Sequence, residues 1–323
     1  MSVTAKRWWG KARRWTGRLA RSRATPRIAV LMYHRVAEPV NDPWKMCVSP
    51  RRFSEHMTVL AQHCEVIGLS SVVSRLEQPR TRPLVVVTFD DGYRDNLEVA
   101  LPILEKFDLP ATLFLATDAV DAAEPWWWDV LADLVLETSL PPALDMLVGE
   151  ERLVWRLQEG PDELRGRLWE LLSRLDVSAI TDVIRHLCQW AGHEPRHDPL
   201  RLPLSGEEIR QLTKGGLVSL GCHSASHLRM TVRDASTCKE ELSRSINECR
   251  RLVGERPSAF AFPFGEYDQL SVELVKAAGF GMAFTSDEGL VTASSDLFAL
   301  PRLGVGNWTG SYFDAWLRHY WCA

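Results

Sequence analysis

The chain of 323 residues is 46% hydrophobic and 25% charged, a balance that excludes a disordered or fibrous polymer and leaves room for two domains or one large α/β barrel. Its net charge of −4 hides an uneven distribution: residues 1–27 hold nine of the 38 basic residues and none of the 42 acidic ones. The remainder carries an excess of 13 acidic groups and offers no basic face to nucleic acid.

The basic segment comes first. Trp8, Ala12, Trp15 and Leu19 recur at helical spacing, with Lys6, Arg7, Arg13, Arg14, Arg18 and Arg21 on the remaining arc. This reads as an arm over 1–27 that is either an amphipathic helix on an anionic membrane surface or a disordered basic tail. No run of 18 apolar residues occurs, and the first 30 residues lack the apolar core and cleavage site of a secretory signal, so neither a spanning helix nor export is expected. Seven cysteines at 47, 64, 188, 222, 238, 249 and 322 form no C-x-x-C pair, which suits reduced thiols in a cytoplasm.

From residue 28 the pattern is alternating. Apolar, β-branched runs at 28–33, 84–89 and 111–115 read as buried strands, separated by helical stretches at 52–63, 69–77 and 95–107. Between 121 and 203 the strand signal stops, and helices are expected at 126–137, 162–175 and 179–190. The alternation resumes with a strand at 217–220, a helix at 234–253, a strand at 259–262, a helix at 269–278 and short strands near 282 and 299. The fold class expected is α/β, a parallel barrel over 28–323 interrupted by a helical insertion at 121–203.

Polar residues gather where these strands end, the side on which barrels place their chemistry. Asp90 and Asp91 follow the strand 84–89 and point in different directions, so one carboxylate suits a cation and the other a proton; a plain helix cap is the alternative. His223 and His227 follow the strand 217–220. Their spacing suits one side of a single helical turn, and two imidazoles with one carboxylate form a facial metal triad. Pro263, Phe264 and Gly265 follow the strand 259–262 and can lend an N–H to an oxyanion, and His34 ends the first strand. Trp126, Trp127 and Trp128 either begin a packed insertion helix or stack on sugar.

The segments Thr88-Phe89-Asp90-Asp91-Gly92 and His223-Ser224-x-x-His227 resemble the first two motifs of the polysaccharide deacetylase family, carbohydrate esterase family four. The opening Tyr33-His34-Arg35-Val36 resembles its permuted poly-N-acetylglucosamine deacetylase branch. The resemblance implies a distorted (β/α) barrel and a metal-dependent hydrolase that removes N-acyl groups from an amino-sugar glycan. It implies Asp91, His223 and His227 as metal ligands, Asp90 as catalytic base, His34 as general acid and the Phe264 N–H as oxyanion donor. Two positions depart from the family pattern. The third motif lacks its arginine, for which Arg302 is the candidate substitute, and Phe264 replaces a tyrosine. Zinc is the metal expected, with cobalt, manganese or iron accepted by the same donors. Combined with the basic arm, the substrate expected is an N-acetylated saccharide, a lipid-linked or nascent glycan at the cytoplasmic face of the membrane, with a soluble nucleotide sugar or small glycoside as the alternative. A non-catalytic carbohydrate-binding or scaffold protein on the same barrel is the alternative.

Overall fold

The computed structural model describes residues 26–322 apart from positions 39, 79, 80 and 138, so all but the last two residues of the basic arm lie outside it. The first half of the barrel runs β1 (Arg27–Tyr33), α1 (Pro50–His63), β2 (Glu65–Val66), α2 (Val72–Leu76), β3 (Leu84–Asp91), α3 (Leu101–Phe107) and β4 (Ala111–Leu115). The insertion then supplies α4 (Trp127–Glu137), β5 (Ala143–Val148), β6 (Glu151–Arg156), α5 (Pro161–Leu172) and α6 (Val177–Ala191). The chain returns through α7 (Gly206–Thr213), β7 (Val218–Cys222), α8 (Ala235–Val253), β8 (Ala259–Ala261) and α9 (Gln269–Ala277). It ends with β9 (Met282–Glu288), β10 (Val291–Thr292), β11 (Leu300–Gly304) and α10 (Gly310–Cys322).

Seven of these strands close on themselves in the order β1-β3-β4-β7-β8-β9-β11, every neighbouring pair parallel, and β11 returns to β1. All eight residues of β3 are buried, as a strand covered by helices on one face and by the barrel interior on the other must be. Successive side chains alternate between those faces. Ile28, Val30, Leu84, Val86, Phe284 and Leu300 fill the interior, where Val72 and Leu76 of α2 join them. Ala29, Leu31, Val85, Val87 and Phe89 pack outward against the helices. The same period carries Thr88 and Asp90 into the interior at the C-terminal end of β3.

The insertion has a core of its own, built on Leu131, Trp155, Leu164, Leu168 and Leu187. It is not wholly helical, which corrects the expectation for 121–203: β5 and β6 pair as an antiparallel hairpin from Ala143↔Arg156 to Val148↔Glu151, turning at Gly149 with φ 62°. Leu144, Val148, Leu153 and Trp155 face the core in strict alternation, but Leu147 and Val154, 65% and 41% exposed, put apolar residues on the solvent face and blur the period in the sequence. No described helix is long and apolar enough to cross a membrane.

Candidate active site

The C-terminal ends of β1, β3, β7, β8 and β11 bring His34, Asp90, Asp91, His223, His227, Phe264, Gly265 and Arg302 around one cavity of about 360 Å3. Asp90 and Arg302 lie inside the barrel, 2% and 1% exposed, and the guanidinium donates from Nη1 and Nη2 to the two carboxylate oxygens at 2.7 Å each. Its Nε donates to the Thr285 carbonyl at 2.9 Å and Nη1 also to Thr88 Oγ1 at 3.3 Å, which locks the fork. Burial alone raises the Asp90 carboxyl, but the Arg302 charge and its hydrogen bonds outweigh it and hold Asp90 well below the usual carboxylate range. His34 Nε2 stands 4.0 Å from Asp90 Oδ2.

Asp91 belongs to the same strand but turns the other way. Its φ of 73° breaks the alternation, and Gly92 follows at φ 92°, where an added Cβ would stand 2.6 Å from a methyl carbon of Leu115. Neither aspartate is a helix cap; both are residues of β3. Asp91 Oδ1 is buried without a hydrogen-bond partner and faces His223 Nε2 at 3.6 Å and His227 Nε2 at 3.4 Å. His223 Nδ1 lies 2.8 Å from the Ala261 carbonyl, which only accepts, so the proton sits on Nδ1 and the Nε2 lone pair is free. Burial lowers His223 to about 4 and keeps it neutral at ordinary pH.

The segment 223–227 is not the helical turn expected from its spacing. His223 is the residue after β7, and Ser224 and His227 adopt φ of 60° and 56° in an irregular loop. Glu241 on α8, which sequence reasoning missed, fixes that loop by accepting from the N–H groups of Ala225 and Ser226 at 3.1 and 2.8 Å. The ligand atoms of Asp91, His223 and His227 lie within 4.8 Å of one another. Asp91 Oδ1 and His223 Nε2 are acceptors, and His227 Nε2, whose ring has an unpartnered Nδ1, joins them as a third when the proton sits on Nδ1; this two-imidazole, one-carboxylate set fits a divalent transition metal.

Phe264 follows β8 at φ 60°, and Gly265 must be glycine because an added Cβ would overlap Ser286 Oγ at 1.8 Å. The Phe264 ring lies edge-on to His227 at 4.6 Å. Indoles complete the wall: Trp128 sits 4.9 Å from His227, Trp169 5.8 Å from Phe264, and Trp44 4.2 Å from Trp169. Trp128 is 1% exposed, stacks on Trp126 at 4.5 Å and donates from Nε1 to the Tyr93 hydroxyl at 2.7 Å, which donates to Asp129. Trp44 and Trp169 carry no motif, and only the fold reveals them as neighbours.

A polysaccharide deacetylase family profile matches residues 77–140 and 149–283. The Bacillus subtilis strain 168 protein YxkH, whose name assigns it to the polysaccharide deacetylases, is 18% identical over 297 residues, 90% of this chain and 76% of that one. The poly-β-1,6-N-acetyl-D-glucosamine N-deacetylase of Escherichia coli K12 is 25% identical over 291 residues, 87% of this chain but 37% of that protein. Among solved structures, the Streptococcus pyogenes deacetylase PplD superposes with a TM-score of 0.60 at 17% identity, over 91% of this chain and 97% of that one. IcaB from Ammonifex degensii gives 0.59 at 17% identity, over 90% and 97%. At such identities these two establish the shared fold.

Proposed function

The chain belongs to the polysaccharide deacetylase family and is a hydrolase of that kind, and from that premise we propose that it removes N-acetyl groups from an amino-sugar glycan with the help of a divalent cation held by Asp91, His223 and His227. One observation carries the reading. The buried, unpartnered Asp91 Oδ1 converges with the Nε2 atoms of His223 and His227 beside a second carboxylate, Asp90, that Arg302 keeps ionised. The chemistry a cation supplies there, zinc in the first instance, is polarisation of the amide carbonyl and a lower pKa for the attacking water, which suits a base as weak as an arginine-paired carboxylate.

The chain's own groups then divide the work. Asp90 accepts the proton of the attacking water, and Arg302 fixes the carboxylate that receives it. The Phe264 N–H, set by the Pro263-Phe264-Gly265 turn, stabilises negative charge developing on the carbonyl oxygen. His34 gives a proton to the departing amine, while the buried Trp128 excludes water and the half-buried Trp44 and Trp169 offer ring surface to a sugar.

The name of the Escherichia coli relative supports an N-acetylglucosamine unit. The basic, tryptophan-bearing residues 1–27 support a glycan carried on a lipid at the cytoplasmic face of the membrane. The purified chain is expected to release acetate from N-acetylated glucosamine oligomers with about one bound metal per chain, and to lose both in Asp91→Asn. Bound metal without acetate from any amino-sugar oligomer would refute the substrate class. Full activity in a metal-free preparation would refute the role of the cation. Deleting residues 1–25 should weaken partition onto anionic vesicles, and unchanged partition would refute the membrane reading.

A further inference from the structure

A second cavity, of about 610 Å3, lies against the first and shares Trp128, His227 and Phe264 with it as walls. Asp90, Asp91, His34 and Arg302 do not line it, so whatever it holds is separated by a ring's thickness from the amide under attack. Its far wall comes from α6 and the turn before it. Ile180, Ile184 and Cys188 form a row at i, i+4 and i+8, with Leu175 and Val177 beside them, and Val177, 51% exposed, marks where the wall opens to solvent. The two arginines at its border are already engaged, Arg185 with Asp182 and Arg229 with Glu266 and Ser173.

The remaining polar residues of the lining, Asp118, Glu124, Thr181 and Ser226, are exposed or half-buried, while the row of Ile180, Ile184 and Cys188 is buried and apolar. A saccharide desolvated against that row would leave hydroxyls without partners, whereas a hydrocarbon chain needs only apolar surface. We propose that the cavity binds the hydrocarbon chain of a lipid-linked glycan, so that the insertion holds the carrier while the barrel works on the acetamide; the proposal rests on the deacetylase reading above. The chain is assigned to the aglycone rather than the acyl group, because the acyl carbon must reach Asp90 and Asp91, neither of which borders this cavity; of the triad only His227 is shared with it. A tryptophan-bearing basic segment at residues 1–27 suits the same lipid setting.

The test uses the full chain and alkyl glycosides of N-acetylglucosamine with tails of increasing length, kept below the concentration at which they form micelles. Two readouts are taken, KM for acetate release and quenching of tryptophan fluorescence by glycosides brominated at the tail end, which needs no turnover. KM is expected to fall about fourfold per added methylene until the cavity is filled, with quenching rising in parallel. Both dependences should weaken at least tenfold for a long tail in Ile184→Glu, and in Val177→Glu, whose exposed position avoids disturbing the insertion core. Acetate release with a KM independent of tail length overturns the proposal, as does quenching unchanged in both variants. A dependence on the length of an N-acyl chain in a methyl glycoside, with none on the aglycone, also overturns it. Tail-dependent quenching that both variants lose, with no acetate released from any glycoside, would support the cavity assignment and count against the deacetylase reading alone.

Discussion

In the barrel the functional groups are charged, buried and fixed by main-chain geometry, whereas in the insertion at 121–203 they are indole rings and aliphatic rows held by packing. Asp90 and Arg302 are anchored through two hydrogen bonds to each other and two more to Thr285 and Thr88. Trp127 and Trp169 rest on each other at 5.2 Å. The two regions keep separate cores, joined by ring contacts such as Trp128 to His227 and Trp169 to Phe264 and by polar links such as Trp128 to Tyr93 and Arg229 to Ser173. The difference teaches a division of labour. Proton transfer needs placement to a few tenths of an ångström, which closed strands supply, while the recognition of rings and chains proposed for the insertion tolerates movement and falls to a region with a hydrophobic core of its own.

The sharpest test is on the barrel side. Asp90→Asn keeps the shape of the side chain but removes the proton acceptor, and acetate release is expected to fall about 10² to 10⁴-fold. It also strips Arg302 of its counter-charge, so rates should be read at a temperature where circular dichroism shows the variant folded. A loss under tenfold would place the base elsewhere. On the insertion side, Trp155→Ala empties a fully buried site and should cost about 3–5 kcal/mol. Hydrogen exchange should then rise across residues 143–191 while β3 and β7 stay protected. Loss of protection spreading evenly into the barrel would break the comparison.

A smaller effect belongs to the barrel's outer helices. His56 of α1 is buried, stacks on Phe313 of α10 at 4.1 Å, and has Nε2 2.9 Å from the Trp308 carbonyl. Burial lowers it from 6.5 to about 4. The unfolded chain takes up that proton at about 6.5, so the stability His56 confers is complete above this pH and is lost as pH falls toward 4, about 3 kcal/mol in all. Urea midpoints at pH 7 and 4.5 should converge in His56→Gln relative to the parent; an equal acid loss in both would refute the assignment. The smallest effect is expected from Trp169→Ala, a rise in KM of about tenfold with kcat within about twofold, as fits a ring that binds without joining the chemistry. A fall in kcat as large as that of Asp90→Asn would erase the distinction between the two regions.

Much of the barrel was legible because its strands announce themselves: Leu84 to Phe89 is apolar throughout, and the acidic pair stands at its end. The spacing of His223 and His227 was legible too, but not their conformation, since the left-handed φ of Ser224 and His227 follows from loop ties to Glu241 that no local pattern encodes. The hairpin escaped notice because Leu147 and Val154 face solvent. Trp44 and Trp169 lie 125 positions apart and meet only after folding. Local rules see periodicity; they do not see which distant rings will share a wall.

Asp91, His227 and Phe264 stand in a backbone region natural to glycine, at a cost of about 1–3 kcal/mol each. Mutation and selection for heat resistance alone would therefore push these positions, like the other non-glycine residues of positive φ such as Lys45 and Asp108, toward glycine or asparagine, but at these three the chain has least freedom to accept it. A laboratory lineage evolved for endurance without a screen for turnover should lose its chemistry there first.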